Sequence, residues 1–296
     1  MPQAVVIGNL CLDDLVHPGG QVIERQLGGS ALFGVLGLRL WAESPGVMGR
    51  MGQGYPPSAR ERLRAAGIDT EGMVSVDSPA VHNRIDYSCP GGRRLLRLAG
   101  SPEANSPRPT DWPPQWHDTA SVHLASMPVE IQIEWLGFLQ RLGVAVSLDP
   151  HLRSCSEERE SLRRAMSLCD LFLPSDLELG MLFPDLPLAA AAREVAGWTR
   201  HGAIITCGAR GVYVPRDDVW LPPCPVAEVV DQTGAGDAYA SVFIWHWSHH
   251  RDIRAAHRHA AVAAALMIEG AGGLHTLDIP CDAAGQRLDQ WRREER

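Results

Sequence analysis

Short apolar runs alternate with longer segments of helical periodicity along most of the sequence, and this alternation restricts the fold more than any other feature. Parallel strands need a crossover connection, so alternating elements predict a mostly parallel sheet with helices on both faces, a three-layer α/β/α sandwich. The predicted strands lie at 5–7, 121–125, 144–148, 171–174 and 203–206, and the predicted helices at 31–41, 60–66, 129–142, 157–168, 188–200, 236–248 and 257–268.

A different pattern interrupts this alternation near the front of the chain. Residues 82–87 and 93–98 alternate polar with apolar side chains on either side of Pro90-Gly91-Gly92, which predicts a hairpin. No internal repeat and no linker divides the 296 residues. We therefore expect one α/β domain over residues 1–296 with a small β excursion.

The basic residues exclude several chemistries. All 27 residues counted as lysine or arginine are arginines. Without lysine, the chain cannot build a Walker-A phosphate loop, the strand lysine of a eukaryotic-type protein kinase or a Schiff base. The net charge of −8 and the lack of a basic stripe argue against nucleic acid as a partner.

The cysteines and the apolar runs predict a cytoplasmic protein without a membrane partner. The seven cysteines are scattered and form no Cys-x-x-Cys pair, so we expect free thiols in a reducing compartment. The longest apolar run, residues 260–268, is about half of the ~20 residues that a membrane-spanning helix needs. The first residues lead directly into an apolar strand, with no sign of a secretory signal.

The sequence Asp-Gln-Thr-Gly-Ala-Gly-Asp at residues 231–237 carries the clearest chemical signal, because an apolar helix follows it directly. No large side chain covers Gly234, Ala235 and Gly236, so their amides at the helix start predict an anion site. The Asp237 carboxylate can accept the proton of a bound hydroxyl. One carboxylate beside one anion hole suits phosphoryl transfer to an alcohol. Taken alone, a Gly-x-Gly-Asp sequence is also explained by a tight turn whose carboxylate complements the helix dipole.

This segment resembles the second signature of the ribokinase-like carbohydrate kinases, the PfkB type, whose usual form is Asp-Thr-Thr-Gly-Ala-Gly-Asp. Further segments resemble the family's motifs in the family's order. They are Gly8 to Asp13, the pair Gly28-Gly29, the turn Ala66-Gly67-Ile68-Asp69-Thr70, Ser147 to Arg153, Pro174 to Glu178, and Thr206 to Gly211.

The resemblance implies a fold and a reaction. The implied fold is a ribokinase-like sandwich in which a small β-lid, at about 15–27 and 80–99, covers the substrate. The implied reaction transfers the γ-phosphate of ATP to a hydroxyl of a sugar, polyol or nucleoside, with Mg²⁺ as a cofactor. A chain without lysine is compatible with this family, because its phosphate site consists of backbone amides.

The resemblance also assigns roles to single residues. It makes Asp237 the base and Gly234, Ala235 and Gly236 the anion hole. It places Asp13, Gly28 and Gly29 at the substrate, and Ser175, Thr206, Gly208 and Gly211 at ATP. Glu178 takes the place of a glutamate linked to magnesium through water, and Asp231 and Thr233 match two residues of a monovalent-cation site for an ion such as K⁺. His259 falls either beside the adenine or on a helix surface.

Four positions depart from the family pattern. Phe33 stands where the family usually has an asparagine, and Gln53 interrupts a segment that is often Gly-Asp-Asp. Ser175 replaces another asparagine, and Gln232 replaces a small residue. Because a lost carboxamide removes hydrogen bonds to hydroxyls, we expect an acceptor other than ribose or fructose phosphate bound in the ordinary way. In this interpretation Phe33 offers the acceptor an apolar face.

The run Gly-Gly-Ser-Ala-Leu-Phe and a later Asn-Arg-x-x-Tyr resemble a branch of the family that includes inositol kinases. By this resemblance, Arg84 and Tyr87 lie on the lid and face the substrate, although an exposed pair on a hairpin would give the same pattern. The lid strands also offer an edge that could pair between subunits, so a homodimer through the lid is a hypothesis.

Three other functions compete with the active kinase. The acceptor-side departures motivate a catalytically silent ligand-binding or regulatory protein on the same scaffold, whereas the intact residues 234–237 and Glu178 favour turnover. A metal site is a further hypothesis for the histidines, but no His-Glu-x-x-His motif occurs. These histidines are His246, His249, His250, His257 and His259. A dinucleotide-dependent oxidoreductase is disfavoured because residues 234–239 lack the third glycine of Gly-x-Gly-x-x-Gly.

Overall fold

The computed structural model describes residues 1–17, 19–88, 94–280 and 282–294. At its centre lies a six-stranded sheet in which every neighbouring pair of strands is parallel, as the alternation predicts. In spatial order the strands are β10 (Leu171–Phe172), β9 (Ala145–Leu148), β8 (Ser121–Leu124), β1 (Ala4–Ile7), β4 (Pro45–Gln53) and β5 (Asp69–Pro79).

Helices cover both faces of this sheet, because each strand points alternate side chains to opposite sides. In β1, Ala4 and Val6 belong to one apolar core, and Val5 and Ile7 belong to the other. Five helices close the first core: α1 (Ser30–Arg39), α2 (Pro57–Ala65), α9 (Ala235–His250), α10 (Ile253–Ile268) and α11 (Ala283–Glu294). Four helices close the second core: α4 (Val129–Leu142), α6 (Arg159–Leu168), α7 (Asp176–Leu182) and α8 (Leu188–Ala196). The three-layer α/β/α sandwich is therefore confirmed.

A mixed four-stranded sheet, called the small sheet below, is built from the front of the chain. Its order is β3 (Val22–Gly28), β2 (Cys11–Val16), β6 (Val81–Asp86) and β7 (Arg94–Ala99). The central pair β2–β6 is parallel, and the two outer pairs are antiparallel. The predicted hairpin is confirmed in β6 and β7, whereas its turn at Pro90-Gly91-Gly92 lies outside the described residues.

A third sheet extends the central sheet at the β10 edge. It contains the antiparallel strands β11 (Ile205–Thr206), β12 (Val212–Val214) and β13 (Val219–Leu221). Isolated parallel bridges join Phe172 to Ala203 and Ser175 to Thr206. The carboxyl end of β10 therefore lies beside the carboxyl end of β11.

Several element boundaries differ from the sequence prediction. The helix predicted at 157–168 is α6, which begins two residues later. A short helix that the sequence did not predict, α5 (Leu152–Ser156), precedes it, and His151 Nδ1 accepts from the Arg153 amide at its start. Helix α10 begins four residues before its predicted start because Asp252 Oδ1 accepts from the Ala255 amide at 3.0 Å. The strands predicted at 171–174 and 203–206 are shorter in the structure. A four-residue helix, α3 (Pro102–Asn105), follows β7.

Glycines allow α1 and α9 to pack closely. A Cβ on Gly37 would lie 2.6 Å from the Ala238 Cβ, and the Ser241 hydroxyl donates to the Gly34 carbonyl at 2.8 Å. The Phe33 ring in the first turn of α1 packs on Gly234, the N-cap residue of α9. The N-termini of the two helices therefore lie at the same end of the molecule.

Two sequence predictions concern membrane spans and thiols. Within the described ranges, no helix has the length and apolar character needed to cross a bilayer. The described cysteines, Cys11, Cys155, Cys169, Cys207 and Cys224, are free and buried. The prediction of free thiols also covers Cys89 and Cys281, which lie outside the described residues.

Candidate active site

The first turn of α9 presents backbone amides. Gly234 is the N-cap residue, with a left-handed backbone at φ 81°, and no described side chain caps the turn. Ala235 is half-buried and Gly236 is exposed. A Cβ on Gly236 would meet no described atom within 4 Å. The Ala235 amide donates to the Gln232 carbonyl at 3.4 Å, so the exposed Gly236 is the most accessible backbone at the positive end of this 16-residue helix.

Phe33 packs beneath this turn. A Cβ on Gly234 would lie 2.3 Å from the Phe33 ring, and one on Gly273 would lie 2.8 Å from it. The Phe33 side chain is 4% exposed. The positive φ and the ring together make glycine necessary at position 234. The structure thus gives Phe33 a packing role that the sequence analysis did not foresee, and its contact with the acceptor stays a prediction.

Asp237 occupies the first turn of α9 and is half-buried. A Cβ on Gly34 would lie 3.5 Å from the Asp237 carbonyl oxygen, so α1 packs directly against this residue. Burial raises the pKa of the Cys11 thiol above its usual range, and the negative charges of Asp13 and Asp237 raise it further. The two aspartates that the sequence places far apart therefore lie near the same buried thiol.

Asp13 is held within the small sheet. The Asn83 amide group donates to Asp13 Oδ1 at 2.7 Å. A Cβ on Gly28 would lie 1.8 Å from Asp13 Oδ2, so only glycine fits on the neighbouring strand. Burial raises the pKa of Asp13 to about 6, although the hydrogen bond from Asn83 and the positive charge of Arg97 both lower it. The carboxyl group is therefore ionised at neutral pH and protonated in mild acid.

Gly29 forms the turn from β3 into α1. Its φ is 99°, and a Cβ there would lie 2.3 Å from the Asn9 carbonyl oxygen. Its own carbonyl accepts from the Leu32 and Phe33 amides, which starts α1. Gly29 thus brings the start of α1 against the connection between β1 and β2, next to Asp13.

Arg84 lies on the other face of the small sheet. The register pairs Asp13 with Asn83 and Asp14 with Arg84, and alternate residues of a strand point to opposite faces. Arg84 Nη2 lies 3.5 Å from Asp14 Oδ2, and the Arg84 side chain is 45% exposed. The structure thus pairs Arg84 with Asp14, and contact between Arg84 and a substrate stays a prediction.

The residues predicted at ATP converge at the carboxyl ends of β10 and β11. Ser175 bridges to Thr206, whose amide donates to the Pro174 carbonyl at 2.9 Å. Glu178 Oε2 accepts from the Ser175 amide at 2.7 Å and from its hydroxyl at 2.8 Å, forming a capping box at the start of α7. One oxygen of Glu178 therefore orients this turn.

The turn after β11 depends on two glycines. Gly208 and Gly211 have φ values of 55° and 84°, and a Cβ on Gly211 would lie 2.1 Å from the Leu221 carbonyl oxygen. Arg210 Nη2 donates to Asp176 Oδ2 at 2.6 Å, which ties this turn to the start of α7. The structure therefore brings Ser175, Thr206, Gly208 and Gly211 into one region.

Asp231 and Thr233 brace the loop before α9. Asp231 is 7% exposed; its Oδ1 accepts from the Thr233 amide at 2.9 Å and its Oδ2 from the Gly272 amide at 3.1 Å. The Tyr87 and Thr233 hydroxyls lie 2.5 Å apart. Tyr87 follows β6, so the small sheet reaches the loop before α9 directly.

His259 lies in an aromatic cluster. Its ring centroid lies 4.1 Å from that of His246 and 4.5 Å from that of Trp41, and its Nδ1 lies 2.7 Å from the Ala255 carbonyl oxygen. Burial lowers the pKa of His246 to about 4. Over the described part of the chain, no group of three or more His, Cys, Asp or Glu side chains is arranged to hold a metal ion. Contact between His259 and adenine stays a prediction.

No motif in the sequence assigns a role to Asn83 or Arg97. The structure places both beside Asp13, because the register pairs Asp13 with Asn83 and Asn83 with Arg97. A hairpin pattern predicts two paired strands, but the partner of each residue depends on the loop length and on bulges. The pairs from Asp86–Arg94 to Asn83–Arg97 keep one register, and a β-bulge shifts it only beyond Asn83, where His82 pairs with Ala99.

The fold and the site together define a class of enzyme. An α/β/α sandwich that joins open amides at a helix start to two nearby aspartates has the parts of a phosphotransferase with an alcohol acceptor. Residues 16–280 match the family described as pfkB family carbohydrate kinase. The chain belongs to this family, which confirms the resemblance seen in the motifs.

Individual relatives agree with this assignment, and a solved structure has a similar fold. The chain is 27% identical over 258 residues to the cytidine kinase of Thermococcus kodakarensis, covering 86% of this chain and 91% of that protein. It is 28% identical over 279 residues to the ATP-dependent ribose-1-phosphate kinase of Halopiger xanaduensis, covering 90% and 89%. Its fold is similar to that of an E. coli protein assigned as a ribokinase II and solved in complex with ATP and Mg²⁺. The TM-score is 0.77 at 18% sequence identity, and the match covers 98% of this chain and 100% of the E. coli chain.

Proposed function

We propose that this protein transfers the γ-phosphate of ATP to a hydroxyl group of a sugar, polyol or nucleoside. The observation that carries this proposal is the position of Asp13 and Asp237 near one buried thiol, Cys11, at the open start of α9. Family membership supports the reaction class. A relative named as an ATP-dependent kinase and a similar fold in complex with ATP support the choice of donor.

In the proposed mechanism, the two aspartates have different tasks. Asp13 holds the acceptor through its hydroxyls, while Asp237 takes the proton of the reacting hydroxyl. The acceptor oxygen forms a bond to the γ-phosphorus as the bond to the bridging oxygen of ATP breaks, and ADP leaves. The amides of residues 234–236 stabilise the charge on the transferred group. A base of this kind contributes about 10²- to 10⁴-fold to the rate.

We place the nucleotide along the turns after β10 and β11. Ser175, Thr206, Gly208 and Gly211 would contact its phosphates, because the bridge between Ser175 and Thr206 holds these two turns together. In this proposal His259 lies toward the adenine.

Two ions are part of the proposal. Magnesium is bound in proteins by one or two carboxylates together with substrate phosphates, so Glu178 suits a link to it through water without a larger protein cage. Mg²⁺ would neutralise charge on the nucleotide phosphates. A monovalent cation such as K⁺ would lie near Asp231 and Thr233, and replacing K⁺ by Na⁺ in the assay tests that site. Unchanged turnover after this replacement contradicts it.

The small sheet would act as a lid of a single kinase domain, residues 1–296, through the segments at about 15–27 and 80–99. Its edge strand β7 exposes Leu95, Leu96 and Leu98 at 50%, 51% and 41%. We propose that this edge pairs two subunits in a homodimer. Sedimentation of the wild type and of Leu96→Arg tests this, because a monomeric wild type contradicts it. The cytoplasmic location stays a prediction.

The test of the function is ATP consumption with a panel of sugars, polyols, nucleosides and sugar phosphates. The kinase proposal predicts ADP formation that requires one class of acceptor and is lost in Asp237→Asn. A silent ligand-binding protein on this scaffold predicts nucleotide binding without turnover on any acceptor. That second outcome would overturn the kinase proposal.

A further inference from the structure

A row of three side chains crosses the small sheet on the face that carries Asp13. The register pairs Asp13 on β2 with Asn83 on β6, and Asn83 with Arg97 on β7. Directly paired residues of neighbouring strands point to the same face of a sheet. A carboxylate, a carboxamide and a guanidinium therefore lie side by side on this face.

Polar atoms around this row lack partners. Tyr55 OH, Asn83 Oδ1 and Arg97 Nη1 are all buried without a hydrogen-bond partner among the described residues. Burial raises the pKa of Tyr55 above its usual range, and the charge of Asp13 raises it further, so this phenol shares the surroundings of Asp13. Buried polar atoms without partners are costly and uncommon, and three around one carboxylate indicate that a ligand completes their hydrogen bonds.

The position of Arg97 gives this ligand a charge. Burial raises the pKa of Asp13 and lowers that of His151, and the positive charge of Arg97 lowers both. The guanidinium thus lies within electrostatic reach of Asp13 and of the loop after β9. The planar guanidinium can donate two parallel hydrogen bonds to an oppositely charged carboxylate or phosphate, so an oxyanion satisfies Arg97 better than a hydroxyl does.

We propose that Arg97 binds an oxyanion, a phosphate or a carboxylate, on the acceptor sugar. The acceptor then lies along the row, with its reacting hydroxyl toward Asp13 and Asp237 and its oxyanion at Arg97. The preferred acceptors are sugar phosphates or sugar acids, and neutral nucleosides bind more weakly. This assignment rests on the proposed kinase function, whose acceptor class it narrows.

The experiment compares the wild type with Arg97→Gln, and uses Arg94→Gln as a matched control. Arg94 lies on the same strand, but its register with Asp86 places it on the opposite face from Arg97. Calorimetry measures the binding of ribose 1-phosphate against ribose, gluconate against glucose, and cytidine, for each full-length protein. A coupled assay measures turnover with the same acceptors, and circular dichroism establishes that each variant is folded.

The proposal predicts that one anionic acceptor binds the wild type at least about 10-fold more tightly than its neutral counterpart. Arg97→Gln should weaken that binding by about 10- to 100-fold, with Arg94→Gln unchanged. The pair of sugars in which the charged member binds more tightly shows whether Arg97 binds a phosphate or a carboxylate. Equal binding of charged and neutral acceptors to the wild type, or an equal loss of both in Arg97→Gln, overturns the proposal.

The two proposals fail in different ways. Turnover of neutral acceptors that is insensitive to Arg97→Gln would keep the kinase and remove the oxyanion site. Arg97-dependent binding of an anionic sugar without turnover on any acceptor would keep the site and contradict the kinase.

If Arg97→Gln is unfolded, Arg97→Lys replaces it, because lysine retains the charge but loses the planar fork. That variant should bind the anionic sugar more weakly than the wild type, with neutral-sugar binding unchanged, and unchanged anionic-sugar binding overturns the proposal.

Discussion

The phosphate side of the candidate site is built from backbone and close helix packing, whereas the acceptor side is built from side chains that meet across three strands. On the phosphate side, Gly234 lies on the Phe33 ring and leaves the first turn of α9 open. On the acceptor side, Asp13, Asn83 and Arg97 come from β2, β6 and β7. The first construction tolerates little change, whereas the second can vary while the reaction is kept. We expect this difference to let the acceptor preference change while the reaction is kept.

The largest predicted effect concerns the general base. Asp237→Asn keeps the size of the side chain but cannot accept the proton, so kcat should fall by about 10²- to 10⁴-fold. The KM for ATP should change little, because the amides of the turn remain. Steady-state kinetics with a responsive acceptor measures both values. Turnover near that of the wild type would remove Asp237 from this role.

The second prediction tests whether the phosphate side is as rigid as its packing indicates. Gly234→Ala adds a Cβ where φ is 81° and the Phe33 ring lies 2.3 Å away, so the free energy of unfolding should fall by about 2–4 kcal/mol. Gly236→Ala is the control, because its Cβ enters open space. The control should keep its stability, as measured by urea unfolding, and lose turnover if the phosphate approaches that amide. Equal stability of the two variants would contradict the packing argument.

The third prediction concerns the pH dependence of the acceptor side. The pKa of Asp13 is about 6 in the folded protein, above the value of about 3.9 expected when unfolded, so the native state binds more protons between these values. The free energy of unfolding should therefore fall by about 3 kcal/mol as pH rises from about 4 to about 6, and then level off. Asp13→Asn should remove this dependence and be more stable than the wild type at pH 8. Its KM for the acceptor should rise far more than its KM for ATP.

Asp14→Asn is the matched control for the pH experiment. Burial opposes the ionisation of Asp14, but hydrogen bonds from the Arg25 amide and His82 lower its pKa overall. Ionised Asp14 therefore stabilises the fold above its unfolded pKa, and this stability is lost as pH falls through its lower folded pKa. Asp14→Asn should destabilise the protein at neutral pH, opposite in sign to Asp13→Asn. Changes of the same sign would contradict the assigned environments.

The smallest predicted effect lies where the two sides touch. Tyr87→Phe removes the hydrogen bond between the Tyr87 and Thr233 hydroxyls, which is worth about 1 kcal/mol, so kcat/KM should fall about 5-fold. Tyr213→Phe removes a comparable bond to Asp218 in the third sheet and should leave kcat/KM unchanged. An equal change of kcat/KM in the two variants would contradict a functional contact between the small sheet and the loop before α9.

Sequence reasoning predicted the two sides of the site unequally, for a physical reason. The proposed phosphate side depends on consecutive residues, so the order of residues 234–237 alone predicted a helix start here, and the structure has one. The alternation of elements likewise predicted the parallel sheet, because local periodicity and crossover connections are both properties of the sequence. Helix starts set by single caps, such as Asp252, were misplaced by a few residues.

The acceptor side depends on strand register, which the sequence does not encode locally. The pairs from Asp86–Arg94 to Asn83–Arg97 keep one register, so the number of residues between β6 and β7 places Arg97 opposite Asn83. The same register turns Arg84 to the face of Asp14, and contact between Arg84 and a substrate stays a prediction. The packing of Phe33 on Gly234 joins residues 201 positions apart, beyond the reach of any local pattern.

A crystal structure with a non-hydrolysable ATP analogue and a bound acceptor tests the central claim most directly. The account predicts the γ-phosphate within hydrogen-bond distance of the amides of residues 234–236, with the acceptor hydroxyl between Asp237 and that phosphate. A γ-phosphate bound away from the start of α9, or an Asp237 carboxylate with no acceptor hydroxyl in reach, would contradict it.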